Sequence, residues 1–185
     1  MGLLKSLFGR WTEATPSLHA RGREMVSLVV LSNTDVELTL DTLREKLDQL
    51  YPGHFLPPRE QGTFIVDGSV PGAEFLIQSN IPGAAGIFLL HSVPGPYAVV
   101  SEFAEHIADA SLRRLAQAQT CWLSVDLIHK YTTEEEAYRF IGSVLAQLAP
   151  RDAAALVHPS RLITIAFDDQ VRRELASGGQ VFGTA

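Results

Sequence analysis

The chain has 185 residues, of which 46% are hydrophobic and 19% are charged, a composition typical of a globular protein rather than a disordered one. Its 21 acidic residues outnumber its 15 basic residues. The net charge of −6 argues against a general nucleic-acid binder, because neutralising phosphates requires clustered lysine and arginine. The single cysteine, Cys121, excludes an intramolecular disulfide and any site built from several cysteines.

The first 24 residues differ in charge and pattern from the rest of the chain. They contain four basic and two acidic residues, which leaves residues 25–185 with a net charge of −8. Within them, apolar side chains recur at the spacing of one helical face, namely Leu3, Leu4, Leu7, Phe8 and Trp11. We predict that residues 3–11 form a terminal helix that caps the domain's own core; the alternative is weak docking on a membrane or a partner. Residues 12–24 are predicted to be a linker.

Residues 25–177 alternate short apolar runs with segments of helical periodicity. The predicted strands are residues 25–32, 63–67, 73–79, 84–93, 120–128, 153–157 and 162–167. The predicted helices are residues 40–50, 98–118, 134–148 and 169–176. This order, β-α-β-β-β-α-β-α-β-β-α, predicts a single α+β domain with helices packed on a mixed, largely antiparallel sheet. Residues 178–185 are predicted to be a flexible tail.

Pro-Gly turns divide the middle of the chain. Residues 70–72, 81–83 and 93–95 each suit a type II turn, because proline presets φ at one central position and glycine accepts positive φ at the next. The strands between them are therefore expected to form an antiparallel meander. The same prolines and glycines interrupt the uncharged stretch 75–101, which is predicted to be buried sheet rather than a membrane-spanning helix.

The common sequence signatures of enzymes and cofactor sites are absent. The chain has no glycine-rich phosphate loop ending in Lys-Ser or Lys-Thr, no G-x-G-x-x-G after a strand, no G-x-S-x-G elbow and no H-E-x-x-H. Its six histidines lack metal-ligand spacing, and His91 is predicted to be a hydrogen-bonded residue at the rim of its strand. We therefore expect neither a metal nor a cofactor.

One polar grouping lies on the predicted helix 98–118. Glu102, His106 and Asp109 recur at helical spacing, which suits a metal or acid–base site. Mixed charges at this spacing are also typical of a solvated helix face, and we favour that interpretation. The opposite face, which includes Leu115, is predicted to be buried.

A second polar grouping lies at the end of the fifth predicted strand. Asp126 and His129 are candidate catalytic residues for acid–base chemistry. Strand alternation opposes this pairing, because the two residues have opposite parity and only a bend after Ile128 would bring them to one face. Trp122, Ser124 and Asp126 share a face and are candidate binding residues. They either line a ligand groove or form the solvent-exposed face of an edge strand.

Three runs in the C-terminal half of the chain resemble bacterial proteins of an uncharacterised domain family. They are residues 121–126 (CWLSVD), 136–139 (EAYR) and 152–159 (DAAALVHP). The similarity covers about residues 84–178, and its motifs are of the packing type rather than catalytic. The resemblance implies a matching fold and a bacterial, cytoplasmic origin, and it carries no established activity.

An acidic chain without catalytic motifs is expected to be a non-enzymatic binding or interaction module, of adaptor or immunity type, that presents an acidic surface to a protein partner. The alternative is a small hydrolase that uses Asp126 and His129. Polar side chains that converge within hydrogen-bond reach in a concave pocket would favour the hydrolase, and diverging side chains would favour the module. No nucleic-acid partner is expected.

Overall fold

The computed structural model describes residues 26–56, 63–70, 73–97 and 104–182. The strands in this part of the chain are β1 (Val26–Ser32), β2 (Phe64–Val70), β3 (Ala73–Ser79), β4 (Gly86–Pro94), β5 (Cys121–Lys130), β6 (Ala155–His158) and β7 (Ile163–Ala166). The helices are α1 (Leu40–Leu50), α2 (Ala110–Ala118), α3 (Glu134–Leu148) and α4 (Asp169–Ala176). Single 3₁₀ turns lie at Ala104–His106 and Pro159–Arg161. The predicted amphipathic segment 3–11 and the linker 12–24 lie outside the described residues.

All seven strands belong to one sheet in the order β2-β3-β4-β5-β1-β6-β7, and every neighbouring pair is antiparallel. The predicted α+β class and the predicted order of elements are confirmed. The meander is β2-β3-β4, and Gly83 between β3 and β4 has a positive φ of 76°, which its turn requires. Among the described residues, no helix combines the length and the hydropathy needed to cross a bilayer.

One face of the sheet carries the main core. Inward-facing residues alternate along the strands, as with Leu123, Val125 and Leu127 of β5, which are all buried. Helices α1 and α3 pack against this face, and α4 packs on α3. Phe140, near the middle of α3, contacts Phe88 of β4 with 4.4 Å between the ring centroids. We call this side of the sheet the core face.

Both ends of α3 are fixed by hydrogen bonds. At its start, the Thr133 hydroxyl accepts from the Glu136 amide (3.2 Å) and the Glu136 carboxylate accepts from the Thr133 amide (2.9 Å). This is the reciprocal arrangement of a capping box. The hydrogen bond from the Thr132 hydroxyl, followed by those from Thr133, lowers the pKa of Glu136 to about 2. At its end, the Arg172 guanidinium of α4 donates to three carbonyl oxygens of residues 146–150. Arg172 thus binds carbonyl groups that the end of a helix leaves without partners.

The opposite face of the sheet, which we call the second face, has a smaller apolar cluster over one half. Its buried members are Val29, Leu31, Ile107, Ala116, Ala155 and Val157. They come from β1, β6, α2 and the segment before α2. Helix α2 therefore covers the β1–β6 half of the second face.

The predicted helix 98–118 is confirmed over residues 110–118 and is wrong over residues 104–109. Residues 104–106 form a 3₁₀ turn, and α2 begins only at Ala110. Asp109 interrupts the helix because its carboxylate accepts hydrogen bonds from the amides of Ser111 (2.7 Å) and Leu112 (3.1 Å) as an N-cap. His106 and Asp109 therefore do not share a helical face, and Glu102 lies outside the described residues. Leu115, predicted to be buried, is 50% exposed because this shorter helix turns Leu112 and Ala116 toward the sheet.

Candidate functional site

Asp126 lies in the middle of the second face, on β5. It is opposite Ser27 of β1 on one side and opposite Leu89 of β4 on the other. Opposed residues of antiparallel strands point to the same face, so the three side chains form one row. Asp126 is buried. Burial makes an uncompensated carboxylate expensive, so Asp126 requires hydrogen-bond donors.

Three side chains supply those donors. The Ser27 hydroxyl donates to one carboxylate oxygen of Asp126, Oδ1. The other oxygen, Oδ2, accepts from the Ser124 hydroxyl at 3.0 Å and lies 3.1 Å from His91 Nε2. Because His91 is opposite Ser124 across β4 and β5, the cluster is built by three adjacent strands. We call Ser27, His91, Ser124 and Asp126 the Asp126 cluster.

Two aromatic side chains border the Asp126 cluster. The Trp122 ring lies 6.0 Å from the His91 ring and 5.3 Å from the Tyr97 ring, the latter contact being edge-to-face. Burial raises the pKa of Tyr97, and the negative charge of Asp126 raises it further. The Tyr97 phenol is therefore protonated at neutral pH and is not a base.

The Asp126 cluster lacks the hydrogen bond that defines a serine nucleophile. In a serine hydrolase, the nucleophilic hydroxyl donates to a histidine nitrogen, and a carboxylate orients that histidine. Here the hydroxyls of Ser27 and Ser124 both donate to Asp126. The contact between His91 and Asp126 resembles the histidine–carboxylate pair of such a site, but neither serine hydroxyl donates to the histidine.

A β-bulge brings His129 to the same face as Asp126. The pairing of β4 with β5 shifts between Ile87 and Phe88, so that Ile87 is opposite His129 and Ile128 is the extra residue. This is the bend after Ile128 that the parity argument required. The bulge therefore removes the geometric objection to Asp126 and His129 sharing a face.

His129 nevertheless makes a different contact from the one predicted. It is exposed, and its ring packs edge-on against Tyr131 with 4.6 Å between centroids. The hydrogen bonds described for Asp126 go to the other members of its cluster. Gly86 leaves room for the bulge, because a Cβ there would lie 3.0 Å from the His129 carbonyl oxygen. A catalytic pairing of Asp126 with His129 stays a prediction.

Beyond the Asp126 cluster, the second face continues over β4, β3 and β2 as a mainly apolar surface. The strand registers align Val66, Leu76 and Leu89 in one row with Asp126. Phe64, Gln78 and Ile87 form the next row, which ends at His129, so the Gln78 amide lies between two apolar side chains. We call Phe64, Val66, Leu76, Ile87 and Leu89 the open sheet face. Val66 is 45% exposed, Leu89 is buried, and the other three are half-buried.

A separate histidine is buried on the core face, at its β6 end. The His158 ring packs between the rings of Tyr138 (4.7 Å) and Phe182 (5.0 Å), and His158 Nδ1 lies 3.1 Å from Ser160 Oγ. Burial, followed by the charge of Arg161, lowers the pKa of His158 to about 4. The imidazole is therefore neutral and weakly basic at neutral pH. This makes the contact between Ser160 and His158 a poor nucleophile–base pair, because an efficient base has a pKa near the working pH.

No sequence pattern connects Ser27, His91 and Tyr97 with Asp126. His91 is hydrogen-bonded, as predicted, and the alternation of β4 places it opposite in direction to the buried Leu90. The alternation of side chains along β4 can be predicted from the sequence. The pairing of β4 with β5 cannot be predicted in this way, and only that pairing shows that His91 lies beside Ser124 and Asp126.

The part of the chain that the structure describes contains no group of three or more histidine, cysteine, aspartate or glutamate side chains arranged to hold a metal ion. Comparisons of the chain with protein-family models, with curated proteins and with solved structures found no match. The resemblance to an uncharacterised bacterial family therefore stays a prediction.

Proposed function

We propose that this chain is a non-enzymatic binding module, of adaptor or immunity type, that recognises a protein partner through the open sheet face. The observation that carries the proposal is the apolar surface itself. Val66 is almost half exposed at one end of a continuous apolar row that runs inward across Leu76 to Leu89. Contiguous exposed apolar patches on soluble proteins are commonly interaction sites.

The Asp126 cluster supports a binding role at the inner end of this surface. Its hydroxyl and imidazole donors are directed at one carboxylate, so they hold three strands in register rather than attack a substrate. Trp122 and Tyr97 add aromatic surface beside it. Rigid aromatic groups next to a packed polar network are typical of residues that dominate binding energy.

The charge of the chain indicates the chemistry of the partner. The row that contains Ile87 ends at exposed His129 and leads through Tyr131 into the acidic first turn of α3. Glu134 and Glu135 are exposed there. Residues 25–185 carry a net charge of −8. A partner segment with an apolar stripe flanked by lysine or arginine would complement both features.

Capture from a lysate of the source organism tests the proposal. Tagged wild-type protein and the Val66→Asp variant would serve as baits, with Ile163→Asp as the matched control. Ile163 is also β-branched, lies on the opposite edge strand of the sheet and is 39% exposed. We expect a partner that the wild type and Ile163→Asp retain and that Val66→Asp loses. Equal retention by both variants would contradict the assigned surface.

A small hydrolase is the second candidate function, and the β-bulge at Ile128 is the observation that favours it. The bulge brings Asp126 and His129 to one face, where a substrate could recruit both. Ester, amide and phosphoester substrates would be tested with the wild type, Asp126→Asn and His129→Gln, and Tyr131→Phe would serve as control. Turnover lost in the first two variants and kept in the third would support the hydrolase. No turnover by the wild type would exclude it for those substrates.

A bacterial, cytoplasmic origin is part of the same proposal. It is supported by the resemblance of residues 84–178 to an uncharacterised bacterial family. Cys121 is a buried free thiol, which suits a reducing compartment. Fractionation of the source organism with an antibody against the chain would test the compartment.

A further inference from the structure

We infer that the N-terminal segment, residues 3–11, is an intramolecular occupant of the open sheet face. This inference deepens the proposed function and rests on it, because the segment would compete with the protein partner for the same surface. Three independent features favour this occupant: the apolar pattern of the segment, the length of the linker and the charges of the two parts.

The apolar stripe of the segment matches the open sheet face in size. A helix of nine residues is about 14 Å long. Strands β2, β3 and β4 are neighbours, so they span about 10 Å from the first axis to the third. One helix laid across them would contact all three. The stripe supplies Leu3, Leu4, Leu7, Phe8 and Trp11.

The linker is long enough to span from β1 to the open sheet face, and β1 begins in a row of residues that this face shares. The described chain begins at Val26, and the adjacent Ser27 lies in the same row as Leu89, Leu76 and Val66. From β1 to β2 there are four strand spacings, or about 19 Å. Residues 12–25 reach up to about 46 Å when extended. The segment can therefore reach the open sheet face without strain.

Charge complementarity favours docking on the body of the same chain. Residues 1–24 have a net charge of +2, and residues 25–185 have a net charge of −8. Lys5 and Arg10 lie outside the apolar stripe, one on each side of it. The segment thus has the properties assigned above to the partner, an apolar stripe flanked by basic residues.

Tryptophan fluorescence tests this inference, because Trp11 and Trp122 are the two tryptophans of the chain. In the full-length Trp122→Phe variant, Trp11 is the remaining reporter. We expect blue-shifted emission and weak quenching by acrylamide. Adding Val66→Asp should shift the emission to the red and increase quenching several-fold, whereas adding Ile163→Asp should change neither. Circular dichroism would verify that each variant is folded.

Three results would overturn the inference. The first is solvent-like Trp11 emission in the Trp122→Phe variant. The second is blue-shifted emission that Val66→Asp leaves unchanged, which would place the segment elsewhere on the domain. The third is a blue shift that appears only after addition of phosphatidylcholine–phosphatidylglycerol vesicles, which would make a membrane the occupant.

A second measurement does not depend on substituting Trp122. Hydroxyl-radical footprinting of the chain with its native tryptophans would compare wild type with Phe8→Asp. Docking predicts several-fold greater labelling of Leu76 and Ile87 in Phe8→Asp, and equal labelling would contradict it. Both measurements are made without a partner, so a failure of docking is separable from a failure of partner capture. If both proposals hold, Phe8→Asp should also capture more partner than wild type.

Discussion

The two faces of the sheet use the same strands for different purposes. On the core face, successive inward residues of β5 are leucine or valine and lie under α3. On the second face, the same strand presents Trp122, Ser124 and Asp126, and α2 packs only toward the β1–β6 half. The alternation of a strand with period two makes this division possible, because each residue type is assigned to one face.

The core face supplies most of the stability of the domain, whereas the second face carries the surface proposed to bind a partner. The core face buries large apolar side chains against helices, and this burial is the main favourable term in folding. The second face instead combines a hydrogen-bonded carboxylate with a partly exposed apolar surface. A face that contributes less to folding is the one that can present groups to a partner. Substitutions on the two faces should therefore differ in the size of their effects.

The largest effect is expected on the core face, from Phe140→Ala. Phe140 is buried and contacts the rings of Phe88 and Tyr51. Removing this ring should lower the free energy of unfolding by about 3–5 kcal/mol, since the lost burial and the resulting cavity both contribute. Urea denaturation followed by circular dichroism would measure it. Leu115→Ala, at a half-exposed position, should change stability by less than about 0.5 kcal/mol, and comparable losses would contradict the assignment of the core.

A smaller loss is expected on the second face, from Asp126→Asn. The amide would present a donor where Ser27, Ser124 and His91 need an acceptor. We expect a loss of about 1–3 kcal/mol, the range for leaving a buried polar group without its partner. The matched control is Asp41→Asn, whose exposed carboxylate pairs with Arg44 at 3.4 Å and should contribute less than about 0.5 kcal/mol. Equal unfolding midpoints for the two variants would show that the Asp126 cluster does not stabilise the fold.

The pH dependence of stability should report on the buried His158 of the core face. Its pKa is lowered from 6.5 to about 4, so between these values the unfolded chain binds a proton that the folded chain does not. The stabilisation is thus complete above about pH 6.5 and is lost as the pH falls toward 4. His158→Phe keeps a ring between Tyr138 and Phe182 and should flatten the decline in this window. Denaturation across the pH range would test it, with exposed His106→Gln as the control that keeps the wild-type slope.

The Glu136 carboxylate should act in a lower pH window. Its pKa is lowered from 4.5 to about 2, so its contribution is present above pH 4.5 and is lost as the pH falls toward 2. The two windows overlap only slightly. A variant that flattens the upper window and leaves the lower one intact therefore identifies His158 as the group responsible.

The fold followed from local patterns, because strand alternation, Pro-Gly turns and the capping box at Thr133 are each encoded within a few residues. The start of α2 was the exception. The spacing of Asp109 suits one position of a helical face, although an aspartate two or three residues before free amides also acts as an N-cap. Both roles suit the same residue, and only the backbone geometry distinguishes them.

The candidate site was less predictable, because it depends on which strands are neighbours. Asp126 and Ser124 were identified on one strand, but their partners Ser27 and His91 come from strands distant in sequence. The bulge at Ile128 also could not be predicted from the sequence of β5. A bulge reverses the parity of every later residue, and its signal is a glycine on the partner strand, Gly86, rather than anything in β5 itself.

The smallest effect is expected at the junction between the two faces, where β5 leads into α3. Thr133→Ala removes the hydroxyl that accepts from the Glu136 amide, and such a cap contributes about 1 kcal/mol. The loss should be local, because the middle of α3 is held by the core face rather than by its first turn. Hydrogen exchange should accelerate at Glu136 and stay slow at Val144, which is buried. If exchange accelerated equally along the helix, the cap rather than the core would be what holds α3 on the sheet, and the contrast between the faces would fail.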